Sequence, residues 1–230
     1  MAFMISLIAL AIDAMLPALP IIGRDLNVAV ENDQQLVISV LFLGMGLAQL
    51  FFGPLSDSIG RKKAIYWGLV VFMAGCLLST FATSFEMMLV GRLLQGIGAA
   101  GPRIVCIALI RDQYEGREMA RIMSFVMGVF ILVPAAAPAL GQGIMMVADW
   151  RAIFVTFLVI TIVVWVWFAV RQPETLPPER QARFSMSVVW SGIVETCRNR
   201  IAFGYTIVTG MMFGAFVGYL SCAPQMFSVI

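Results

Sequence analysis

The chain has 230 residues, of which 61% are hydrophobic and 12% charged, with a formal net charge of +2. A soluble domain is nearer half apolar and a quarter charged, so this composition describes an all-α polytopic membrane protein. So small a charge, with no basic cluster interleaved with aromatics, argues against nucleic acid, and the lack of histidine excludes H-E-x-x-H zinc sites and Ser-His-Asp or Cys-His catalysis.

Crossing a bilayer takes about 20 apolar residues. Such runs occupy roughly 2–23, 36–55, 64–82, 87–110, 119–147, 152–170 and 201–223, here called spans 1 to 7. Span 1 could pass for a signal peptide, but Asp13 interrupts its apolar core and no basic segment precedes it. It reads as part of the mature protein. Ser6, Ala9, Asp13, Pro17 and Pro20 fall on one helical face. Pro17 cannot donate to the carbonyl of Asp13, nor Pro20 to that of Leu16, so a kink with free carbonyls is expected. Such backbone is tolerated where protein or a water-filled cavity supplies partners. A mid-span carboxylate costs about 2.5–3.5 kcal/mol on insertion scales, which makes Asp13 a functional candidate, with a structural salt bridge as the alternative.

Between spans 2 and 3 runs GPLSDSIGRKK, Gly53 to Lys63. A connection of about eight residues makes the two spans antiparallel neighbours. Gly53 leaves room for a closely packed helix. Asp57 can accept backbone N–H bonds at a helix N-terminus or pair with Arg61. Gly60 permits the turn before Arg61, Lys62 and Lys63. An ordinary basic loop at the cytoplasmic surface is the plain reading of this stretch.

Span 4 holds the other intramembrane charges, Arg92 and Arg103, about three turns apart, with Gln95 on the face of Arg92. Counted from the outer ends, Arg92 sits about 7 Å outside Asp13 and Arg103 about 9 Å inside it, so either side chain could reach the carboxylate. Snorkelling toward the headgroups is an equal alternative for Arg103. Gly96, Gly98, Ala99, Ala100 and Gly101 thin the helix for close packing. Span 5 carries Pro134 and Pro138 one turn apart, with Gly128, Gly141 and Gly143, and reads as a bent, backbone-packed hinge at a moving interface. Asp149-Trp150-Arg151 makes the turn into span 6, with Trp150 suited to the membrane interface. The linker 171–200 opens with Pro173, Pro177 and Pro178, and Met186, Val189, Trp190, Ile193, Val194 and Cys197 then follow helical spacing, an amphipathic surface helix. Span 7 contains Gly210, Gly214 and Gly218 on one packing face. Cys76, Cys106, Cys197 and Cys222 lack metal spacing.

Positive charge sets orientation. Arg61, Lys62, Lys63, Arg111, Arg117, Arg121, Arg171, Arg180, Arg183, Arg198 and Arg200 lie in one set of loops, against Arg24 and Arg151 in the other. This places the N-terminus and the linker in the cytoplasm.

Gly-x-x-x-Asp-x-x-Gly-Arg-Lys-Lys at 53–63 resembles the signature loop of the major facilitator superfamily, and GRLLQGIGAAG around Arg92 resembles its second motif. DAMLPALP in span 1, RDQYEGREMAR after span 4 and PETLPPER after span 6 are similar to the bicyclomycin-resistance-like (Bcr/CflA) branch of drug:proton antiporters. The spacing of Pro134, Pro138, Gly141 and Gly143 departs from the span-5 motif usual in such exporters. The resemblance implies a six-helix bundle of 3+3 inverted repeats over 1–170, a cytoplasmic linker over 171–200, and at 201–230 the first helix of a second bundle, the chain being an N-terminal fragment. It also implies an inner-membrane carrier of bacteria, monomeric at full length, without a cofactor, whose partners are the lipid bilayer, protons and a small, largely apolar substrate expelled by alternating access. Asp13, Arg92, Gln95 and Arg103 would then line the coupling cavity, with Arg92 setting the proton affinity of Asp13. Gly53, Asp57, Gly60, Arg61 and Lys62 would form a conformational latch, and Pro134, Pro138 and Gly141 a hinge. Other readings are a facilitator importing a metabolite and a non-transport seven-helix membrane protein. An intramembrane enzyme would need a catalytic dyad, and Asp13 has no second mid-span acid.

Overall fold

The computed structural model describes residues 1–177, 179, 181 and 184–228, with side chains at all of these except 31 and 220–228. Arg180 and Arg183, counted among the basic loop residues, together with Pro178, lie outside the described residues, as does the side chain of Cys222. The chain is helical, with no strand among the described residues, and seven helical segments are long and apolar enough to cross a membrane. It divides into two compact units, Met1–Ala182 and Arg183–Ile230.

In the first unit, span 1 is broken, as the prolines require: α1 (Ala2–Asp13), a 3-10 turn (Leu16–Ala18) and α2 (Leu19–Asp25). There follow α3 (Leu36–Ile59), α4 (Arg61–Thr80), α5 (Phe85–Gln113), α6 (Gly116–Met145) and α7 (Arg151–Arg171). The eight-residue loop expected between spans 2 and 3 is absent. Helix continues from α3 through Asp57 to Ile59, and Gly60 alone (φ 98°, ψ 153°) separates it from α4. Apolar runs mark the thickness of the bilayer, whereas helices extend past it wherever polar residues can satisfy their ends. Here Ser56 and Ser58 donate to the carbonyls of Gly53 and Leu55, both at 2.8 Å. At the other end of the bundle the Ser84 hydroxyl accepts from Met87 N at 3.2 Å and caps α5.

The glycines of α5 decide how the bundle closes. A Cβ on Gly96 would lie 2.0 Å from the carbonyl oxygen of Leu41, and one on Gly98 would lie 2.2 Å from the amide nitrogen of Phe72. Backbone-to-backbone approach on both sides therefore sets α3 and α4 against α5. Two buried apolar clusters fill the unit. One, around Met15, Leu41, Phe72 and Phe154, lies toward the Trp150 end. The other, around Ile5, Leu69, Cys106 and Phe168, lies toward the Arg61 end. Cys76 and Cys106 are buried free thiols and Cys197 is exposed.

The second unit comprises α8 (Met186–Arg198) and α9 (Arg200–Ser228). The amphipathic helix expected in the linker is α8. Asn199 alone joins the two, and its Oδ1 accepts from the amides of Ile201 and Ala202 at 3.1 and 3.2 Å, a helix N-cap.

Candidate functional site

The break in span 1 generates the site. Where α1 ends at Asp13, Ala14 N donates to Leu10 O at 3.1 Å and Met15 N turns to Ile12 O at 3.3 Å. Met15 is the residue that would serve Ala11 in a continuing helix, so the Ala11 carbonyl is released. Arg92 takes it: Nη2 donates to Ala11 O at 2.9 Å, Nε to Val37 O at 3.0 Å, and Nη1 to Gln95 Oε1 at 2.6 Å. Gln95 Nε2 in turn donates to Ser79 Oγ at 3.3 Å. The guanidinium carbon lies 6.0 Å from the ring centre of Phe154. One side chain of α5, 0% exposed, thus engages α1, α3 and α7 directly and α4 through Gln95. Its positive charge stands at the C-terminal end of a half-helix, where the helix dipole favours a cation.

The expected reach of Arg92 or Arg103 to Asp13 is not what the molecule does. Neither makes an ion pair with it among the described residues. Arg92 is consumed by carbonyls and an amide, and half-buried Arg103 directs Nη1 to Met45 Sδ at 3.5 Å. Height along parallel axes was a sound guide to Arg92, which does meet span 1, but rotation about the axes aims it at the backbone. Asp13 itself is 7% exposed. Its carboxylate has no hydrogen bond or ion pair among the described residues.

Helix α6 remains continuous through Pro134 and Pro138. It meets span 1 at the break itself: a Cβ on Gly141 would fall 2.0 Å from Ala14 O. The three span-5 residues singled out in the sequence therefore lie on the helix that abuts the kink beside Asp13.

At the opposite end, Arg61 joins the latch residues. It pairs with Asp57 through Nη1, with Asp112 through Nε at 3.0 Å, and Nη1 also donates to Ser56 Oγ at 2.6 Å. Of the two roles open to Asp57, ion pairing is the one observed. Lys62 Nζ donates to Ala169 O at 2.9 Å and lies 5.9 Å from the Tyr66 ring centre. Gly53, Ser56, Asp57 and Arg61 line one side of an open pocket of about 430 Å³, with Ile104, Arg111 and Asp112 across from them, and nothing lies within 4 Å of a Cβ built on Gly53.

Two residues have roles that the sequence reading did not name. Glu174, within the PETL stretch after α7, accepts from the amides of Arg61 and Lys62 at 3.0 and 3.1 Å, and its Oε1 also takes Thr175 N and Leu176 N. It, rather than Asp57, reads the N-terminus of α4. A Cβ on Gly60 would lie 2.6 Å from Glu174 Oε2. A lone acid between Pro173 and Thr175 could have signalled a cap, but nothing local names the helix it caps. Trp150 is the second. Expected at the membrane interface, it is 2% exposed, donates to Asp25 Oδ2 at 2.8 Å and stacks under Arg151 at 4.2 Å. Arg151 donates to Ala82 O at 3.2 Å, so this end is tied through polar groups. No group of three or more potential metal-ligating side chains exists among the described residues.

Comparison with known proteins gives a consistent picture. The Major Facilitator Superfamily model matches residues 1–229. The multidrug resistance protein MdtL of Salmonella heidelberg is 33% identical over 214 residues, 93% of this chain and 53% of that protein. An uncharacterized MFS-type transporter of Bacillus subtilis, YdgK, is 28% identical over 236 residues, all of this chain and 58% of that protein. The chain thus spans about half the length of the curated relatives it matches. Among solved structures, the human organic anion transporter MFSD10 (TETRAN) has a TM-score of 0.60 at 19% identity, over 79% of this chain and 48% of that one, a likeness of fold.

Proposed function

Because the chain belongs to the Major Facilitator Superfamily, we propose that the protein of which it forms a bundle is a proton-coupled exporter of small, largely apolar compounds, of the Bcr/CflA type. The multidrug resistance protein it is similar to favours efflux over import. The observation that carries the coupling is Asp13, a buried carboxylate with no hydrogen bond or ion pair among the described residues, placed where span 1 breaks and α6 crosses it. A carboxylate left unpaired in a membrane interior is free to exchange a proton, whereas one locked in a salt bridge is not. Arg92 acts on it through the backbone of α1 and through its field.

The remaining assignments follow the same frame. Asp57, Arg61, Lys62 and the open side of Gly53 form a latch surface that a second bundle engages in one conformation. Pro134, Pro138 and Gly141 let α6 pivot against Ala14. The bundle ends at the linker, the basic loops face the cytoplasm of a bacterial cell, and the full-length carrier works as a monomer. In the full-length protein in proteoliposomes with an imposed pH gradient, Asp13→Asn abolishes uphill transport while leaving insertion and folding intact, because an amide cannot titrate. Wild-type uphill transport by that variant would overturn the coupling assignment.

A further inference from the structure

Helix α5 carries a second intramembrane cation whose surroundings differ from those of Arg92. Arg92 places Nε, Nη1 and Nη2 on oxygen acceptors. Arg103 has one contact, Nη1 to Met45 Sδ at 3.5 Å, and a thioether sulfur is a weak acceptor. No carboxylate pairs with it among the described residues, and its remaining N–H groups find no acceptor there. The direction of the side chain follows from the register of two helices. Arg92 holds the carbonyl of Val37 and Gly96 abuts that of Leu41, so α3 and α5 run parallel with a fixed offset. Arg103 is thereby level with Ala48, and Met45 stands one turn, about 4.5 Å, nearer the Trp150 end. The guanidinium is turned that way, as a helical side chain leans toward its own N-terminus. It points away from Arg111 and the headgroups at the Arg61 end, about 12 Å off along the axis. Snorkelling would require the opposite tilt.

We propose that Arg103 is an anion-binding subsite, engaging a carboxylate or similar acidic group on the transported compound. A guanidinium is a fork matched to two carboxylate oxygens, and one held within a membrane is costly until something supplies acceptors. The bundle itself does not supply them. The tilt of the side chain closes about half of the roughly 9 Å that register puts between Arg103 and Asp13, yet no ion pair forms. Arg103 is half-buried, and charged groups inside a membrane face a bundle interior or a water-filled cavity, so its open side belongs to the cavity between two bundles. A single weak contact to Met45 leaves the fork free to swing onto a ligand there. This rests on the transport reading and adds the substrate class to it: an apolar compound that carries one acidic group.

The test uses the full-length protein in maltoside micelles and two ligands of one shape, 1-naphthoate, ionised at neutral pH, and the neutral 1-naphthamide. Equilibrium dialysis measures both. In the wild type the acid binds about ten- to a hundredfold tighter, the worth of hydrogen bonds to a charged group. Arg103→Gln brings the two affinities together without weakening 1-naphthamide, and Arg103→Lys keeps part of the preference. Thermal unfolding of Arg103→Gln stays at the wild-type midpoint, since no oxygen acceptor within the bundle loses its donor. Equal affinities in the wild type, or a preference that survives Arg103→Gln, would overturn the subsite. So would a lowered midpoint in Arg103→Gln joined to equal wild-type affinities, because the arginine would then pair with an acid of the second bundle. A preference present in micelles but lost in phosphatidylglycerol nanodiscs would give the site to a lipid phosphate and overturn it too. If 1-naphthoate binds through Arg103 but is not driven uphill by a pH gradient in proteoliposomes, the anion site stands and the transport reading falls. If 1-naphthamide is driven uphill while the acid shows no preference, the subsite falls and the transport reading stands.

Discussion

Gly60→Ala is a substitution of one methyl group whose cost can be worked from two separate observations. The residue holds φ 98° and ψ 153°, a region open essentially to glycine, where a side chain costs about 1–3 kcal/mol. The new Cβ would also lie 2.6 Å from Glu174 Oε2, so the carboxylate must leave the amides of Arg61 and Lys62. Losing a helix cap costs about 0.5–2 kcal/mol. Together these give a destabilisation of about 1.5–5 kcal/mol, large for a site at the end of a bundle. Because the second part exists only while Glu174 is in place, the two residues must be coupled. In a Glu174→Ala background, Gly60→Ala retains only the backbone strain, and the cycle shows non-additivity of about 1 kcal/mol. Unfolding of the four proteins in mixed micelles, followed by tryptophan fluorescence, measures all three quantities. A neutral Gly60→Ala would refute the backbone argument, and strict additivity would refute the cap.

Arg92→Lys keeps the charge but replaces a fork with a point donor, which cannot serve Ala11 O, Val37 O and Gln95 Oε1 together; thermal unfolding in detergent should show a loss of about 1–3 kcal/mol, and an unchanged transition would mean the acceptors find other donors. Gly141→Ala places a methyl 2.0 Å from Ala14 O and must push α6 from the kink, so it lowers stability by about 1–3 kcal/mol and slows transport, whereas Gly143→Ala, with open space at its Cβ, serves as the neutral control in both assays. Asp57→Asn removes one of the two carboxylates on Arg61; insertion should persist while proteoliposome transport slows severalfold, and unchanged transport would leave the loop only its role in topology.

The residues that were legible in the sequence are those whose effect is local. Pro17 and Pro20 announce the break in span 1, and the break occurs at Asp13. Gly60 announces a turn that only glycine makes. Apolar length gives the seven crossings but misplaces the helix ends, because Ser56, Asp57 and Ser58 satisfy a helix that has already left the apolar run. That Asp13 pairs with neither arginine among the described residues was not legible. It depends on the rotation of α5 about its axis, and that rotation is set by Gly96 and Gly98 pressing on the backbones of Leu41 and Phe72. Glu174 acts on a helix more than a hundred residues earlier, a distance no spacing rule spans. Trp150 misled because an indole suits a membrane surface and a buried acceptor equally well. Only the fold supplies Asp25.

The bonding of Arg92 also bears on how the chain is made. An arginine within a span disfavours its transfer from the translocon into lipid, by up to the about 2.5–3.5 kcal/mol that it costs at a span's centre. The segment carrying it contains Gln95 and several glycines besides, so it is a poor candidate to partition unaided. Yet every acceptor outside α5 that Arg92 and Gln95 use, at Ala11, Val37 and Ser79, belongs to a segment synthesised earlier. When α5 emerges from the ribosome, the groups that neutralise its polarity have already been delivered to the membrane. Order of synthesis and order of need coincide, and moving this segment ahead of its partners by circular permutation should leave it stranded on the wrong side of the bilayer.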